Sequence, residues 1–368
     1  MMIQSDQVDN LKEKNMSKLK VFLLAIALGM CSIAQADYRF IVPQEPGNGT
    51  DIWARIVARE MEKKLGEKII VENIPGANDV PGFNKFHNTL RKDPKVVMVA
   101  HGGNAESFLY QKVDYNYADY DPIGLQNLTI MVGHRTDSDV YKLSTFPAAS
   151  GTNPDIIAMT LLVCGPGKTI QQYADCYRNH FKYVMGMTGN ERKLSYIRGE
   201  VNSIRETPSA YFKNIRPIKE NVDWFNPGVL DIKTGKVVAD VNFPNVFFVD
   251  VYKQRWGVAP SGDLYDSWLL VKNYRDVLQK ALYVDKGNPN RDKLRKALVE
   301  TLADPVSLAA IEKETGKYQW IIGDDVLKAH KALEKLTTKT ALKDLVWWVS
   351  RVLNQEAIYK DDIAKKAH

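Results

Sequence analysis

The chain has 368 residues, of which 45% are hydrophobic and 26% charged, and its formal net charge is +6. At roughly 150 residues per domain, this length predicts about two domains and excludes a disordered chain or a disulfide-dense miniprotein. No apolar run of about 18 residues occurs beyond the N-terminal region, which argues against several membrane spans. The 50 Lys and Arg residues are scattered among 44 Asp and Glu, so no basic face indicates nucleic acid as a partner.

The segment that begins at Met16 has the three parts of a secretory signal peptide. Residues 16–20 are basic, residues 21–30 form an apolar run, and Ala34-Gln35-Ala36 supplies the small residues of a cleavage site. Residues 1–15 are polar and mixed in charge, so we expect translation to start at Met16. The sequence predicts that residues 1–36 are an extension and signal peptide, cleaved near Ala36, and that the mature protein is periplasmic; a buried helix is the alternative.

Cleavage there removes Cys31 and leaves Cys164 and Cys176. Cys31 fits a lipoprotein site less well, because Met30 occupies a position where a small residue is required. In an oxidising compartment the two remaining thiols, 12 residues apart, can close a loop worth about 3 kcal/mol through loop entropy. Two free, buried cysteines are the ordinary alternative, and the pattern leaves both open.

Strands and helices alternate at the start of the mature chain, which predicts a parallel sheet with helices on its faces. Strands are predicted at 38–42, 68–73 and 95–100, with a helix between the first two that ends at Gly66. The later predictions are strands at 181–185 and 200–204, a helix at 191–198, and mostly helix from Trp256, including 292–302 and a helix begun by Asp304-Pro305.

Three glycine-bearing turns stand where a predicted strand passes into a helix, at residues 47–51, 102–104 and 186–190. The free N–H groups and the positive dipole end of a first helical turn can bind a carboxylate or phosphate. In an open parallel sheet such turns lie together at the carboxyl ends of the strands. The three turns therefore predict an anion-binding cleft, although a single capped glycine turn is common without one.

No pattern predicts a metal, a cofactor or a catalytic residue. The histidines lack metal-binding spacing, and no Gly-x-Ser-x-Gly nucleophile turn occurs. His101 falls beside the predicted cleft, where we expect a hydrogen-bonded scaffold residue. Glu45 and Asp51 are an alternative pair of carboxylates, although helix capping explains Asp51 more simply. Trp347-Trp348 indicates a C-terminal helix packed on the body, with contact to a membrane or partner as the alternative.

Several motifs resemble the Bug-type solute receptors of tripartite tricarboxylate transporters. The opening motif runs from Phe40-Ile41-Val42-Pro43 through Pro46-Gly47-Asn48-Gly49-Thr50-Asp51 to Ala54-Arg55 and is similar to that family's Val-Pro, Pro-Gly-Gly, Thr-Asp, Ala-Arg start. Val71-Glu72-Asn73-Ile74-Pro75-Gly76-Ala77 is close to its Val-Glu-Asn-x-Pro-Gly-Ala. Later landmarks are Tyr120-Asp121-Pro122-Ile123, Arg198-Gly199-Glu200-Val201 and Leu302-Ala303-Asp304-Pro305.

The resemblance implies an α/β, type II periplasmic-binding-protein fold, with two lobes that close on a small carboxylate. Residues 37–130 and 255–368 would form lobe one together with C-terminal helices, and residues 131–254 would form lobe two. By resemblance, and by position in the cleft for the last four, the expected ligand-binding residues are Gln44, Asn48, Gly49, Thr50, Asp51, Gly76, Ala77, Asn78, Gly102, Gly103, Thr188 and Asn190.

The sequence departs from the family pattern in two loops. Asn48 replaces the second glycine of Pro-Gly-Gly, and Gly76-Ala77-Asn78-Asp79 stands for Gly-Ala-Gly-Gly. The asparagine side chains fill space and add donors, while Asp79 adds a negative charge that would repel a second carboxylate. The resemblance implies a non-catalytic receptor that delivers an organic anion to membrane transporter subunits. A receptor that reports its ligand to a signalling partner, or a periplasmic hydrolase using His101 or Glu45 with Asp51, are the alternatives.

Overall fold

The computed structural model describes residues 37–148, 153–187, 189–361 and 363. The predicted signal peptide and start site at residues 1–36, and the predicted ligand-binding residue Thr188, lie outside these ranges. Within them, no helix has both the length and the apolar character needed to cross a membrane.

The central element is a six-stranded mixed sheet. Its strands are β1 (Tyr38–Val42), β2 (Ile69–Asn73), β3 (Val96–Ala100), β4 (Tyr120–Asn127), β12 (Ala281–Asp285) and β13 (Gln319–Ile322). Their order in the sheet is β13-β4-β12-β3-β1-β2. Strands β1, β2 and β3 are parallel, whereas β12 runs antiparallel to β3 and β4, and β13 runs antiparallel to β4.

The parallel sheet expected from the sequence is therefore confirmed only for the first three strands. Those strands are joined by helices, the connection that parallel neighbours require. Strands β12 and β13 enter late from the region predicted as mostly helical, and β12 inserts between β3 and β4 in the opposite direction. A short, mostly apolar run such as β12 cannot be distinguished from a buried helix by periodicity alone.

The remaining strands form three small sheets. Three of them form an antiparallel sheet in the order β8-β5-β9, β6 pairs with β7 in parallel, and β10 pairs with β11 as an antiparallel hairpin. Their bounds are β5 (Met131–Arg135), β6 (Ser144–Pro147), β7 (Phe181–Val184), β8 (Ser203–Glu206), β9 (Asn221–Phe225), β10 (Val229–Asp231) and β11 (Lys236–Val238). The strand predicted at 200–204 begins later, at Ser203, because residues 198–202 form a turn.

Local sequence signals explain many of the helix ends. Gly66 ends α1 in the left-handed conformation, and the Asp304 side chain accepts hydrogen bonds from the N–H groups of Val306 and Ser307 at the start of α11. The helices are α1 (Gly49–Leu65), α2 (Val80–Lys85), α3 (Gly102–Tyr110), α4 (Asp155–Cys164), α5 (Ile170–His180), α6 (Gly189–Ile197), α7 (Pro208–Ala210), α8 (Phe248–Trp256), α9 (Asp263–Val277), α10 (Arg291–Ala303), α11 (Pro305–Thr315), α12 (Asp325–Leu336) and α13 (Lys339–Arg351).

The C-terminal helix α13 packs on the body of the protein. Trp348 is fully buried, and its ring meets Tyr177 edge-on at 5.9 Å between centroids. Trp347 is partly buried against the same core. The packed-helix interpretation of this tryptophan pair is thus confirmed.

Cys164 and Cys176 form a disulfide between the end of α4 and α5. Of the two possibilities that the sequence left open, the structure selects the disulfide.

The two larger sheets draw on different parts of the chain. The six-stranded sheet takes its strands from residues 38–127 and 281–322, and the three-stranded sheet takes its strands from residues 131–225. The lobe boundaries at 130/131 and 254/255 stay predictions.

Candidate functional site

A cavity of about 580 Å³ lies at the carboxyl ends of β1, β2 and β3. One wall is made by the segments that follow these strands, at residues 43–50, 75–79 and 101–106. The opposite wall comes from residues 189–193 and 205–214, and residues 275–280 between α9 and β12 also contribute. This volume lies within the range of small-molecule sites, and the end of a parallel sheet is where such sites form.

Most of the ligand-binding residues expected from the sequence do line this cavity. The lining residues among them are Gln44, Asn48, Gly49, Thr50, Gly76, Ala77 and Gly103. Asn78 lies in the 3-10 turn Ala77–Asp79 beside the lining, and Asn190 is exposed on α6 next to the lining residue Gly189. Whether these residues bind a ligand stays a prediction.

Asp51 and Gly102 do not line the cavity, for identifiable physical reasons. Asp51 accepts a hydrogen bond from the Gly47 N–H at 2.8 Å and pairs with Arg55, so its carboxylate stabilises the turn before α1. These bonds lower the pKa of Asp51 even though burial opposes them. Gly102 packs so closely against Gln279 and Arg275 that a Cβ would overlap both side chains. Both residues therefore support the cavity wall rather than form its surface.

The N-terminus of α1 points at the cavity without a side-chain cap. Asn48 is the N-cap residue in an extended conformation, and its side chain makes no capping hydrogen bond. The helix has 17 residues, so its aligned peptide dipoles place a partial positive charge at its first turn. This end of α1 is consequently available to an anion.

Lys280 brings a buried ammonium group to the same place. Its Nζ donates a hydrogen bond to Thr50 Oγ1 at 2.7 Å, and the residue is only 2% exposed. No carboxylate of the described residues lies within 4.0 Å of this Nζ. Burial lowers the pKa of Lys280 to about 7, although the negative charge of Asp79 acts in the opposite direction.

Two buried ion pairs lie beside Lys280. Arg205 Nε and Asp155 Oδ2 are 2.8 Å apart, and Arg275 contacts Glu106. Burial raises the pKa of Glu106 to about 7 against the opposing effect of Arg275, and burial lowers the pKa of Arg205 to about 10. These two arginines are thus compensated by carboxylates, whereas Lys280 is not.

Several buried polar atoms on the lining have no hydrogen-bond partner within the described part of the chain. They are Arg192 Nε, Glu206 Oε1, Arg275 Nε and Gln279 Oε1. Buried polar atoms are normally satisfied by protein or water. Water or a polar molecule in the cavity can satisfy them.

His101 acts as a scaffold residue, as expected from the sequence. Its side chain accepts a hydrogen bond from the Gly103 N–H, and the Asn104 side chain accepts one from the His101 N–H, which completes a capping box at the start of α3. The ring also contacts Asp79. Burial lowers the pKa of His101 to about 4, so the ring is neutral at pH 7.

Asp79 has an unusual backbone conformation for its residue type. Its φ is +63°, in the left-handed region that glycine adopts without cost. The resembled family has glycine at this position. The backbone of the loop therefore follows the family pattern, while the aspartate adds a carboxylate to the cavity lining.

The two walls approach each other near the start of α1. A Cβ on Gly189 would lie 2.8 Å from Asn48 Oδ1, and a Cβ on Gly49 would lie 3.4 Å from Thr207 Oγ1. The absence of a side chain at Gly189 thus permits the close approach of the walls, whereas a Cβ at Gly49 would make an ordinary van der Waals contact.

Sequence reasoning missed several charged residues of the lining, among them Glu106, Arg192, Arg205, Arg275 and Lys280. Lys280 is 230 positions from its partner Thr50, and no local pattern reports such proximity. One signal was available, since Gln279-Lys280 stands directly before the apolar strand β12, where buried polar residues require partners.

Comparisons with known proteins were made at the levels of sequence and structure. No family model matches the chain. It is 25% identical over 205 residues to the UPF0065 protein in the gbd 5' region of Cupriavidus necator, which covers 50% of this chain and 60% of that protein. It is 43% identical over 44 residues to protein BugT of Bordetella pertussis, which covers 12% and 14% respectively. The aligned stretches thus span less than two thirds of these curated relatives.

The structural likeness extends over nearly the whole of the neighbouring chains. The periplasmic binding protein BugD matches with a TM-score of 0.57 at 18% identity, over 88% of this chain and 99% of BugD. MatC from Rhodopseudomonas palustris with bound malate matches at 0.55 and 15%, and a TctC solute-binding protein from Polaromonas at 0.53 and 15%, each over 84% of this chain and 99% of the other.

These comparisons confirm the fold and the resemblance that the sequence motifs indicated. The chain has the two-lobed α/β fold of periplasmic binding proteins, and the proteins it is similar to include Bug-type and TctC-type solute-binding proteins.

Proposed function

We propose that this protein is a periplasmic receptor that binds a small organic carboxylate in the cavity and delivers it to a tripartite tricarboxylate-type membrane transporter. The observation that carries the proposal is the uncapped N-terminus of α1 at a cavity formed at the carboxyl ends of three parallel strands. That arrangement supplies backbone N–H groups and a positive dipole end to an anion. MatC, which shares the fold, contains bound malate.

Export and docking are further parts of this proposal. We infer that residues 16–36 direct the chain to the periplasm, the compartment named for BugD. We infer also that residues 37–130 with 255–368 close against residues 131–254, and that membrane subunits recognise the closed form. The membership of the two larger sheets supports this division.

A binding role without catalysis is the function that the site supports best. The carboxylate of Asp51 is engaged with Gly47, Arg55 and Asn73, so it does not act with Glu45 as a catalytic pair. His101 is held by its capping interactions. The solved neighbours are described as solute-binding and periplasmic binding proteins, which supports the same conclusion.

The proposal is tested by thermal-shift screening and calorimetry with malate, citrate, glutamate and benzoate, with a neutral diol as control. A ligand at 100 times its Kd stabilises the folded protein by about 2.7 kcal/mol, which raises the melting temperature measurably. We expect at least one of the four anions to do so and the diol to have no effect. If none of the four anions binds, the proposed function is wrong.

A further inference from the structure

The cavity contains a buried ammonium group, that of Lys280, which no carboxylate of the described residues approaches within 4.0 Å; Asp79 acts on it only from a greater distance. We infer that Lys280 forms the ion pair with the ligand's carboxylate, so that the anion is held by a charged side chain as well as by the N-terminus of α1. This inference rests on the proposed function and deepens it. The ligand-binding residues expected from the sequence include no positively charged side chain.

A comparison with Lys272 shows why Lys280 is distinctive. Both lysines are buried, at 1% and 2% exposure, and they lie eight positions apart. Lys272 Nζ lies 3.2 Å from Asp276 Oδ2, which is itself buried, and Lys272 does not line the cavity. Lys280 lines the cavity, and the only hydrogen bond that its ammonium makes among the described residues goes to the neutral hydroxyl of Thr50. A buried cation without a countercharge is costly, which is why such groups are normally paired.

Thr50 connects this cation to the helix end. It lies in the first turn of α1, and its Oγ1 accepts the Lys280 hydrogen bond at 2.7 Å. The ammonium and the free N–H groups of the first turn therefore act on the same small region. The buried Gln279 Oε1, which packs against Gly102 at the start of α3, also has no hydrogen-bond partner among the described residues. An anion placed there receives a charge-assisted hydrogen bond from Lys280.

The groups that act on Lys280 come from several elements. Those with charge or titratable protons are Asp79, His101, Arg205 and Arg275. Burial lowers the pKa of Lys280 to about 7, the two arginines lower it further, and Asp79 opposes them. A bound carboxylate favours the protonated form. Binding near pH 7 therefore takes up a proton, and the affinity falls as the pH rises above 7.

The test is calorimetric titration of Lys280→Met and of wild type at pH 6. The ligand is whichever of malate, citrate, glutamate and benzoate binds the wild type most tightly. Loss of a hydrogen bond to a charged group weakens binding by at least about tenfold. Lys253→Met is the matched control, because Lys253 is exposed and outside the lining but carries the same charge. We expect this control to bind as the wild type does.

The pH dependence of binding distinguishes an ion pair between Lys280 and the ligand from a purely structural role of Lys280. Wild type should bind more weakly at pH 8.5 than at pH 6. This dependence should be smaller in Lys280→Met, in which only the lining carboxyl Glu106, whose pKa burial raises to about 7, still titrates in this range. If Lys280→Met does not fold, Thr50→Val, which removes the hydroxyl that positions the ammonium, should still weaken binding. If a folded variant binds the anion as tightly as the wild type does, the role of Lys280 is wrong and the receptor function still stands. If the wild type binds none of the four anions, both the role of Lys280 and the receptor function are wrong.

Discussion

Lys280 donates a hydrogen bond to Thr50 at 2.7 Å across 230 positions of the chain. This contact joins the residue before β12 to the first turn of α1, so residues from distant segments of the chain meet at the cavity. The position of the cation is consequently a property of the fold and not of any local motif. The stability and the pH response of the protein should reflect it.

The two buried lysines should respond in opposite ways to the same substitution. Lys272→Met leaves the Asp276 carboxylate buried without its partner, which should lower the free energy of unfolding by about 3 to 5 kcal/mol. Lys280→Met removes an uncompensated buried charge, so the ligand-free protein should be at least as stable as wild type. Denaturant unfolding at pH 6 measures both, and a large loss of stability in Lys280→Met would show that the ammonium stabilises the fold.

Lys280 should make the free energy of unfolding depend on pH between pH 7 and pH 10. The pKa of Lys280 is lowered in the folded protein to about 7, so above pH 7 the unfolded chain binds more protons than the folded one. The contribution of Lys280 to the free energy of unfolding is therefore fully present above the pKa that this lysine has in the unfolded chain. It is lost as the pH falls through about 7, the pKa of Lys280 in the folded protein. The difference between wild type and Lys280→Met, measured across this range without ligand, isolates the contribution. A difference that does not change with pH would contradict the assignment.

The left-handed conformation of Asp79 predicts an order of stability for two substitutions. Both Asp79→Gly and Asp79→Ala remove the carboxylate that contacts His101, but only glycine adopts a φ of +63° without steric cost. Asp79→Gly should be more stable than Asp79→Ala by about 1 kcal/mol. Thermal unfolding of the pair checks this. Equal stability would mean that the loop changes conformation when the aspartate is removed.

The disulfide between Cys164 and Cys176 should contribute measurably to stability. By loop entropy, closing a loop of this size stabilises the folded protein by about 3 kcal/mol. Replacing both cysteines with serine should therefore lower the midpoint of denaturant unfolding, and adding a reductant should lower it in the wild type alone. An unchanged midpoint in the double variant would contradict this contribution.

The sequence predicted the first part of the fold well because its signals are local. The strand that ends at Val42, the helix that ends at Gly66 and the strand that ends at Ala100 each have clear apolar patterns and glycine or turn residues at their ends. Strands β12 and β13 were missed because short apolar runs among helical patterns carry no distinct period. Their antiparallel pairing in the sheet depends on contacts between distant segments, which no local sequence pattern predicts.

The candidate site was likewise predicted only in part from the sequence. Its backbone part, including Gly49, Gly76 and Gly103, follows from glycine turns and from the resemblance to a family. Its charged part does not, because Arg205 and Lys280 reach the cavity from distant segments of the chain. Whether a buried lysine is paired depends on the distances between elements, as the contrast between Lys272 and Lys280 shows.

Binding of a small organic carboxylate is the central claim, and calorimetric titration of the purified protein with malate, citrate, glutamate and benzoate tests it most directly. The account predicts saturable binding of at least one of these anions, which is tighter at pH 6 than at pH 8.5. Titrations in which none of the four produces saturable heat, although the protein is folded, would contradict it.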